Sequence, residues 1–300
     1  MSKCVMRTLL LAIAMMLVLQ GAAAQSPSSG AGEFTLSVRT RLVEIPVTVR
    51  SADGATIDGL LPSNFEVFED DVRQDITLFK HEDTPIRAGV VISGYRGLPD
   101  MKAAVENAAS IFIRESNPNN KTFTVDFYGA YSFRKREFSE SIHALVEAFI
   151  EVDTFRRAPP VAGAGSTRKA VVVITEGDGG FSEVSQLLSY LKDARDVAIY
   201  PIGLLDEKQK ATAKTTRERL TEAANLTGGE AFFPMSVEEV AGICRRIAHN
   251  LRNQYTLGYS PKNGNNNGTW RSIRVTVTAP QLAGRPVVRA KQGYVSSVDD

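Results

Sequence analysis

Two short apolar stretches of the sequence are each followed by side chains that could do chemistry. Ser93 comes directly after the stretch AGVVI at residues 88–92, and Glu176 and Asp178 follow the stretch KAVVVIT at residues 169–175. A serine after a buried strand is where a nucleophile can stand, and carboxylate and hydroxyl oxygens are the ligands that hard cations prefer. Ser93 has neither a Gly-x-Ser-x-Gly context nor an identifiable base, however, so the sequence disfavours a hydrolase.

The other reactive residue types do not assemble into a catalytic or cofactor site. His81, His143 and His249 lie in different segments, without the spacing of zinc ligands. The glycines of residues 177–180 match neither the dinucleotide-binding nor the P-loop spacing and lack the P-loop lysine, so a tight turn explains them. We therefore expect a protein that is not an enzyme and that uses no cofactor.

The charge balance argues against two classes of partner. The 300 residues carry a formal net charge of +1. Loss of an N-terminal leader containing Lys3 and Arg7 lowers this charge by 2, to −1. No excess of positive charge then holds the chain to nucleic acid or to acidic lipid.

The first 24 residues have the organisation of an export signal. Lys3 and Arg7 precede an apolar run at residues 9–19, and a small-residue cleavage site ends at Ala24. We expect a signal peptide over residues 1–24, a linker over residues 25–33, and a mature chain that is periplasmic or secreted and meets the membrane only through the signal. The alternative is an uncleaved anchor, but the apolar run is shorter than the ~20 residues of a membrane span.

Both ends of the mature chain are predicted to be β. Residues 34–85 alternate in hydrophobicity, and a hairpin is expected around the turn at residues 69–71, with Phe65 in one arm and Ile76 in the other. Residues 254–300 alternate in the same way. We expect these two segments to pair into one small β-sandwich.

The middle of the chain, residues 86–253, alternates short apolar strands with helices. Strands are predicted at residues 88–92, 169–175, 198–204 and 231–233, a hairpin at residues 123–138, and helices near residues 101–113, 142–149, 184–195 and 237–251, with a further polar helix ending near residue 226. This alternation predicts an α/β fold with a doubly wound, mostly parallel sheet. The basic residues 134–136 are expected on an edge strand, where charge discourages unwanted pairing.

Several ordered segments carry a family resemblance. They are VVIS at residues 90–93, KAVVVITEGDGG at 169–180, VAIYPIGL at 197–204, TGGEAFF at 227–233 and RNQYTLGYSP at 252–261. In this order they resemble the von Willebrand factor A-related proteins of acidobacteria. Residues 59–79 and 269–294 also resemble the β segments that flank the A-type domain there. The resemblance implies a von Willebrand factor A-like fold over nearly the whole mature chain.

The same resemblance implies a cation site that this sequence does not keep. Such domains bind a divalent cation through Asp-x-Ser-x-Ser after the first strand, a threonine on a later loop and an aspartate after the fourth strand. Ser93, Tyr95 and Gly97 stand where the motif has Asp, Ser and Ser, and Glu176 stands where it has the later Asp. Arg96 adds a positive charge beside the missing carboxylate. The oxygen donors that remain are too few for Mg²⁺ or Ca²⁺, so we expect no bound metal.

With catalysis, a cofactor and a bound metal disfavoured, we expect a binding surface at the carboxyl ends of the strands, where ligands of open α/β sheets collect. Tyr95, Arg96, Asp178 and Phe181 are predicted to contact a partner there, because aromatic residues and arginine commonly anchor interfaces. The alternative is that Tyr95 and Phe181 cap the sheet. We expect an exported, non-catalytic interaction module that recognises a protein or a cell-surface polymer without a metal. The rival functions are a structural component of a cell-envelope assembly and a cation-dependent adhesion protein.

Overall fold

A computed structural model of the chain describes residues 42–93, 99–128, 131–134, 137–140, 168–176, 197–206, 208, 210–265, 267–279 and 284–296. The chain divides into two compact units, Met1–Thr40 and Arg41–Asp300, and every described residue belongs to the second. The predicted signal peptide and linker therefore lie outside the described residues, as do the helices predicted near residues 142–149 and 184–195.

The elements of the second unit follow one another as β strands, then alternating strands and helices, then β strands. The strands are β1 (Val43–Arg50), β2 (Phe65–Glu69), β3 (Val72–Gln74), β4 (Ile76–Lys80), β5 (Arg87–Ser93), β6 (Lys121–Tyr128), β7 (Tyr131–Arg134), β8 (Glu137–Glu140), β9 (Lys169–Thr175), β10 (Val197–Gly203), β11 (Tyr255–Tyr259), β12 (Trp270–Val277), β13 (Val287–Arg289) and β14 (Gly293–Val295). The helices are α1 (Pro99–Glu115), α2 (Lys210–Thr227) and α3 (Glu238–Arg252).

Among the described residues, two four-stranded antiparallel sheets share one hydrophobic core. The first has the order β13-β1-β11-β4 and the second the order β14-β12-β2-β3. Ile45 of β1 lies opposite Leu257 of β11, and Val67 of β2 lies opposite Val275 of β12. Every second residue of β1 from Val43 onward points into the shared core, as the two-residue period of a strand requires. Strands from both ends of the unit therefore contribute to both sheets.

The turn at Asp70 and Asp71 joins different strands from those predicted. Both aspartates have positive φ, 47° and 61°, which is the type I′ geometry that suits a two-residue hairpin. The turn connects β2 to the three-residue strand β3. Ile76 does not lie in the second arm, because β4 belongs to the other antiparallel sheet and pairs with β11. The prediction was wrong because strands this short, separated by Asp75 alone, are not resolved by periodicity.

A buried ion pair ties the second antiparallel sheet together. Arg271 Nη1 lies 2.9 Å from Glu69 Oε1, and the two side chains are only 3% and 1% exposed. The hydroxyls of Tyr259 and Tyr294 donate to Glu69 Oε2 at 2.6 and 2.8 Å, so the carboxylate is fully hydrogen-bonded. Burial, and the hydrogen bond to Glu69, raise the pKa of Tyr259 and keep it protonated as a donor. Arg271 also donates to the carbonyl of Asn263 at 2.6 Å, which anchors the loop between β11 and β12.

A third sheet forms the middle of the unit, with the order β10-β9-β5-β6-β7-β8. β10, β9, β5 and β6 run parallel, and β7 and β8 are antiparallel to their neighbours. All seven residues of β9 are buried, which is typical of a strand covered on both faces. The expectation of a mixed α/β chain with a parallel sheet is confirmed.

The far side of this sheet differs from the predicted hairpin. The arm expected to run from residue 132 to residue 138 is two strands, because the chain reverses after Arg134, which lies opposite Glu137 of β8. β7 therefore lies between β6 and β8 rather than at an edge. The prediction that residues 134–136 protect an edge strand is wrong for Arg134, and residues 135 and 136 lie outside the described residues.

Helices cover both faces of the parallel strands. Val90, Val172 and Ile202 pack in one core with residues of α1 and α3. Alternate strand residues face the other way, and a Cβ on Gly203 would lie 3.1 Å from Leu220 of α2 on that side. The predicted strand at residues 231–233 is reduced to one bridge, from Phe232 to Ile202. Within the described ranges, no helix combines the length and hydrophobicity needed to cross a membrane.

Polar contacts join the antiparallel sheets to the α/β part of the same unit. Arg50 of β1 and Arg289 of β13 both approach Glu230 Oε1, at 2.5 and 3.6 Å. Glu230 directly follows the glycines that end α2 and precedes the bridge at Phe232. The first sheet is therefore held against the segment that leads out of α2.

Candidate functional site

The carboxyl ends of the parallel strands lie level with one another at one edge of the sheet. Ser93, the last residue of β5, lies opposite Thr175 of β9 and opposite Phe127 of β6. Thr175 in turn lies opposite Gly203 of β10. The amide of Leu204 donates to the carbonyl of Thr175 at 2.8 Å, which fixes the start of the loop after β10.

The direction of the chain reverses between β5 and β9. From β5 the chain continues to β6 on one side, whereas β9 lies on the other side of β5 and is followed by β10, farther out. This is the topological switch point of an open α/β sheet, the position at which sheets of this class characteristically form a crevice. Ligands of such sheets bind outside the carboxyl ends of these strands.

Two of the residues predicted from the sequence are described at this crevice. The backbone of Ser93 ends β5, and Glu176, half-buried, directly follows β9. The structure thus brings the two to the ends of neighbouring strands. The remaining predicted site residues lie outside the described residues; they are Tyr95, Arg96, Gly97, Asp178 and Phe181.

The histidines do not share a site. His81 stacks on Tyr255 in the antiparallel part, with ring centroids 4.1 Å apart, and His249 contacts Asn253 at the end of α3. His143 lies outside the described residues. Across the described ranges, no group of three or more His, Cys, Asp or Glu side chains could hold a metal ion.

The strongly perturbed titratable groups lie in structural contacts away from the crevice. Burial raises the pKa of Tyr200 to about 12 and lowers the pKa of Arg168. Gln254 bridges these residues: its side-chain oxygen accepts from Arg168 at 2.7 Å, and its amide donates to the hydroxyl of Tyr200 at 3.3 Å and to that of Thr48 at 3.1 Å. Burial also raises the pKa of Cys244 to about 12. A phenol and a thiol held neutral in this way do not serve as a base or a nucleophile at neutral pH.

Sequence reasoning missed one residue at the carboxyl edge, Met235. It follows Phe232, whose bridge to Ile202 places the segment beyond the end of β10, and its side chain is 83% exposed. Its amide donates to Glu239 Oε1 at 3.2 Å, which fixes the backbone before α3. An exposed methionine adapts to irregular apolar surfaces. The apolar pattern of the sequence does not distinguish such a residue from a core one.

Comparison with known proteins does not assign a family. No protein-family model and no curated protein sequence matches the chain. A short-chain flavodoxin associated with a non-canonical PDU bacterial microcompartment is similar with 13% identity and a TM-score of 0.33, over 56% of this chain and 96% of that chain. An aerotolerance-related membrane protein from Bacteroides fragilis, with multiple mutations to serines, has 12% identity and a TM-score of 0.32, over 55% of this chain and 98% of that one. Proximal thread matrix protein 1 from the mussel byssus has 14% identity and a TM-score of 0.34, over 61% of this chain and 51% of that one. Likeness this weak does not argue for a function.

Proposed function

We propose that the protein is an exported, non-catalytic binding module of von Willebrand factor A type, which recognises a macromolecular partner at the carboxyl edge of its parallel sheet without a metal ion. The observation that carries the proposal is the switch point between β5 and β9, with Ser93 and Glu176 at its two strand ends. Export rests on the signal-like residues 1–24.

The order of the strands supports this proposal. Counted from β5, the order β8-β7-β6-β5-β9-β10 reads 4-3-2-1-5-6, so the sheet extends in both directions from its first strand, as a doubly wound sheet does, and β7 is antiparallel to its neighbours. The helices α1 and α2 lie on opposite faces, as right-handed crossovers running in opposite directions from a switch point require. This architecture is shared by many α/β proteins, and the proposal of the von Willebrand factor A type rests on the resemblance of the sequence segments.

The donors at the crevice fit a divalent cation poorly. Ser93 offers a hydroxyl where a carboxylate would be needed, and Glu176 is the one carboxylate directly after β5 or β9 among the described residues. Mg²⁺ and Ca²⁺ require about six or more oxygen ligands. A surface with an exposed methionine at Met235 and an arginine at Arg96 in its sequence suits recognition by shape and charge instead.

Rebuilding the cation motif tests the metal-free part of the proposal. The variant with Ser93→Asp, Tyr95→Ser, Gly97→Ser and Glu176→Asp restores the Asp-x-Ser-x-Ser motif and the later aspartate of the family's cation site. Isothermal titration with MgCl₂ or MnCl₂ is expected to show binding to this variant and none to the unmodified chain. Saturable Mg²⁺ binding by the unmodified chain, lost on Ser93→Ala, would contradict the proposal.

Partner capture tests the location of the binding surface. The mature chain is used to capture partners from a cell-envelope extract, and the triple variant Tyr95→Ala, Arg96→Ala and Phe181→Ala is compared with a control, Lys214→Ala, on the exposed face of α2. We expect the triple variant alone to lose the captured partner, and a chelator to have no effect. If the triple variant retains the partner, the carboxyl edge of the parallel sheet is not the binding surface.

A further inference from the structure

A groove of about 650 Å³ lies along the helix α3, and its lining includes neither Ser93 nor Glu176. One wall is the outer face of α3 from Gly242 to Asn253, and the other holds Asp83, just before β5, and Glu115, at the end of α1. We call this the α3 groove. Its volume is in the range of pockets that bury a small ligand or a short stretch of chain.

Helical spacing aligns the groove-facing residues of α3. Arg245, Arg246, His249 and Arg252 follow Gly242 at intervals of three or four residues, so they lie along one stripe of the helix. The opposite stripe, with Val240, Cys244 and Ile247, is buried in the core. Nothing lies within 4 Å of the position of a Cβ on Gly242, so the helix backbone itself forms an open floor between the arginines.

The arginines of the groove differ in what they contact. Arg252 Nε is 2.7 Å from Asp83 Oδ2, so its charge is compensated. Arg246 lies over the ring of Phe232, 4.6 Å from its centroid, which holds the guanidinium in place without neutralising it. Arg245 is exposed, and neither Arg245 nor Arg246 has a carboxylate within ion-pair distance among the described residues. Two positive charges therefore face the groove uncompensated.

The carboxylates of the opposite wall narrow the class of ligand. Glu115 pairs with its neighbour Arg114 at 3.5 Å, and Asp83 with Arg252, but both keep negative charge close to the groove. Negative charges placed against these two carboxylates are unfavourable, whereas a chain with a few spaced carboxylates can set each of them against an arginine. The side chains of Asn253 and His249 also line the groove and supply hydrogen-bonding groups for a peptide backbone.

We propose that the α3 groove binds a short acidic segment of a protein partner, with the carboxylates held by Arg245 and Arg246. This site is separate from the carboxyl edge and does not depend on the function proposed for that edge. Because Arg246 is already held by Phe232 and Arg252 by Asp83, little ordering of the groove accompanies binding.

The test is titration calorimetry of the mature chain with the peptide Ser-Glu-Gly-Glu-Ser, capped at both ends, and with its Gln-Gly-Gln counterpart. Arg245→Gln removes one uncompensated charge, and Gly242→Leu fills the floor while favouring the helix. Arg285→Gln is the matched control, an exposed arginine outside the groove. Thermal melts check that each variant folds.

We expect the glutamate peptide to bind the unmodified chain and the Arg285→Gln variant equally. Affinity should fall at least about tenfold in Arg245→Gln, the scale of one lost charge-assisted hydrogen bond, and should vanish in Gly242→Leu. Met235→Ser, outside the lining of the groove, should leave binding unchanged. Equal affinity for the glutamine peptide, or equal weakening by Arg245→Gln and Arg285→Gln, would overturn the proposal. So would binding of oligogalacturonate at the groove in place of the peptide, since the ligand would then be a polysaccharide.

Discussion

Removal of the positive charge from the buried pair between Glu69 and Arg271 should destabilise the protein strongly. Arg271→Met keeps the length of the side chain but leaves Glu69 charged, with a side-chain exposure of 1% and with only Tyr259 and Tyr294 as donors. Removal of one partner from a buried pair costs about 3–5 kcal/mol, a large part of the roughly 5–15 kcal/mol that holds a typical protein folded. We expect this loss in urea unfolding followed by circular dichroism.

The same strand offers a matched control. Arg274 lies three residues further along β12 and pairs with Asp71 at 3.0 Å, but these side chains are 52% and 89% exposed. Arg274→Met should cost at most about 2 kcal/mol, counting the ion pair and the contact with the ring of Phe68. The double variant Glu69→Gln with Arg271→Met should recover about 1–3 kcal/mol relative to Arg271→Met, because no uncompensated charge is then buried. Equal losses for Arg271→Met and Arg274→Met would refute the argument from burial.

Two further outcomes follow from buried positions. Burial raises the pKa of Cys244 from 9.0 to about 12, so above pH 9.0 the native thiol stays neutral while the thiol of the unfolded chain ionises. The contribution of Cys244 to the free energy of unfolding is therefore intact below pH 9.0 and is lost as the pH rises toward 12. In urea unfolding above pH 9.0, the free energy of unfolding should fall with pH more steeply in the unmodified chain than in Cys244→Ala, by up to about 1.4 kcal/mol per pH unit. Gly229→Ala would place a Cβ 1.9 Å from the carbonyl oxygen of Ile199, so we expect a loss of about 3 kcal/mol or more. Gly242→Ala, where space is open, should instead raise the free energy of unfolding by about 0.5–1 kcal/mol, measured by thermal or urea unfolding.

The buried parallel strands could be predicted from the sequence because they are covered on both faces and therefore form continuous apolar runs. β9 is apolar at nearly every position and buried at all seven, and its partner β5 begins and ends within one residue of the predicted run. The change of sheet between β3 and β4 could not be predicted from the sequence, since a strand of three residues is too short for its periodicity to show which sheet it joins. The arm of β7 and β8 was predicted as one strand for a related reason: each strand has only four residues, and no glycine or proline marks the reversal between Arg134 and Glu137.

The candidate sites divide in the same way. That Ser93 and Glu176 would lie at neighbouring strand ends follows from the rule that parallel strands end at one edge, and the structure has them there. The α3 groove was not accessible, because Arg245 on its own helix is indistinguishable from a solvated surface residue. Its opposite wall comes from Asp83 and Glu115, more than a hundred residues earlier in the chain, and only tertiary packing brings them together.

The pairing of β4 with β11 has a mechanical consequence. These strands are neighbours in one antiparallel sheet although the whole parallel sheet lies between them in the chain. β1 also pairs with β13, which is followed within a few residues by β14. Val43 itself pairs with Tyr259 of β11, and Val295 pairs with Trp270 of β12, so tension applied at these two residues first loads the hydrogen bonds of the antiparallel sheets. The chain enters the parallel sheet after β4 and leaves it before β11, and these two strands pair with each other, so the parallel sheet lies outside the loaded strands. A ligand bound to it would then be held on an undeformed surface while the chain is stretched.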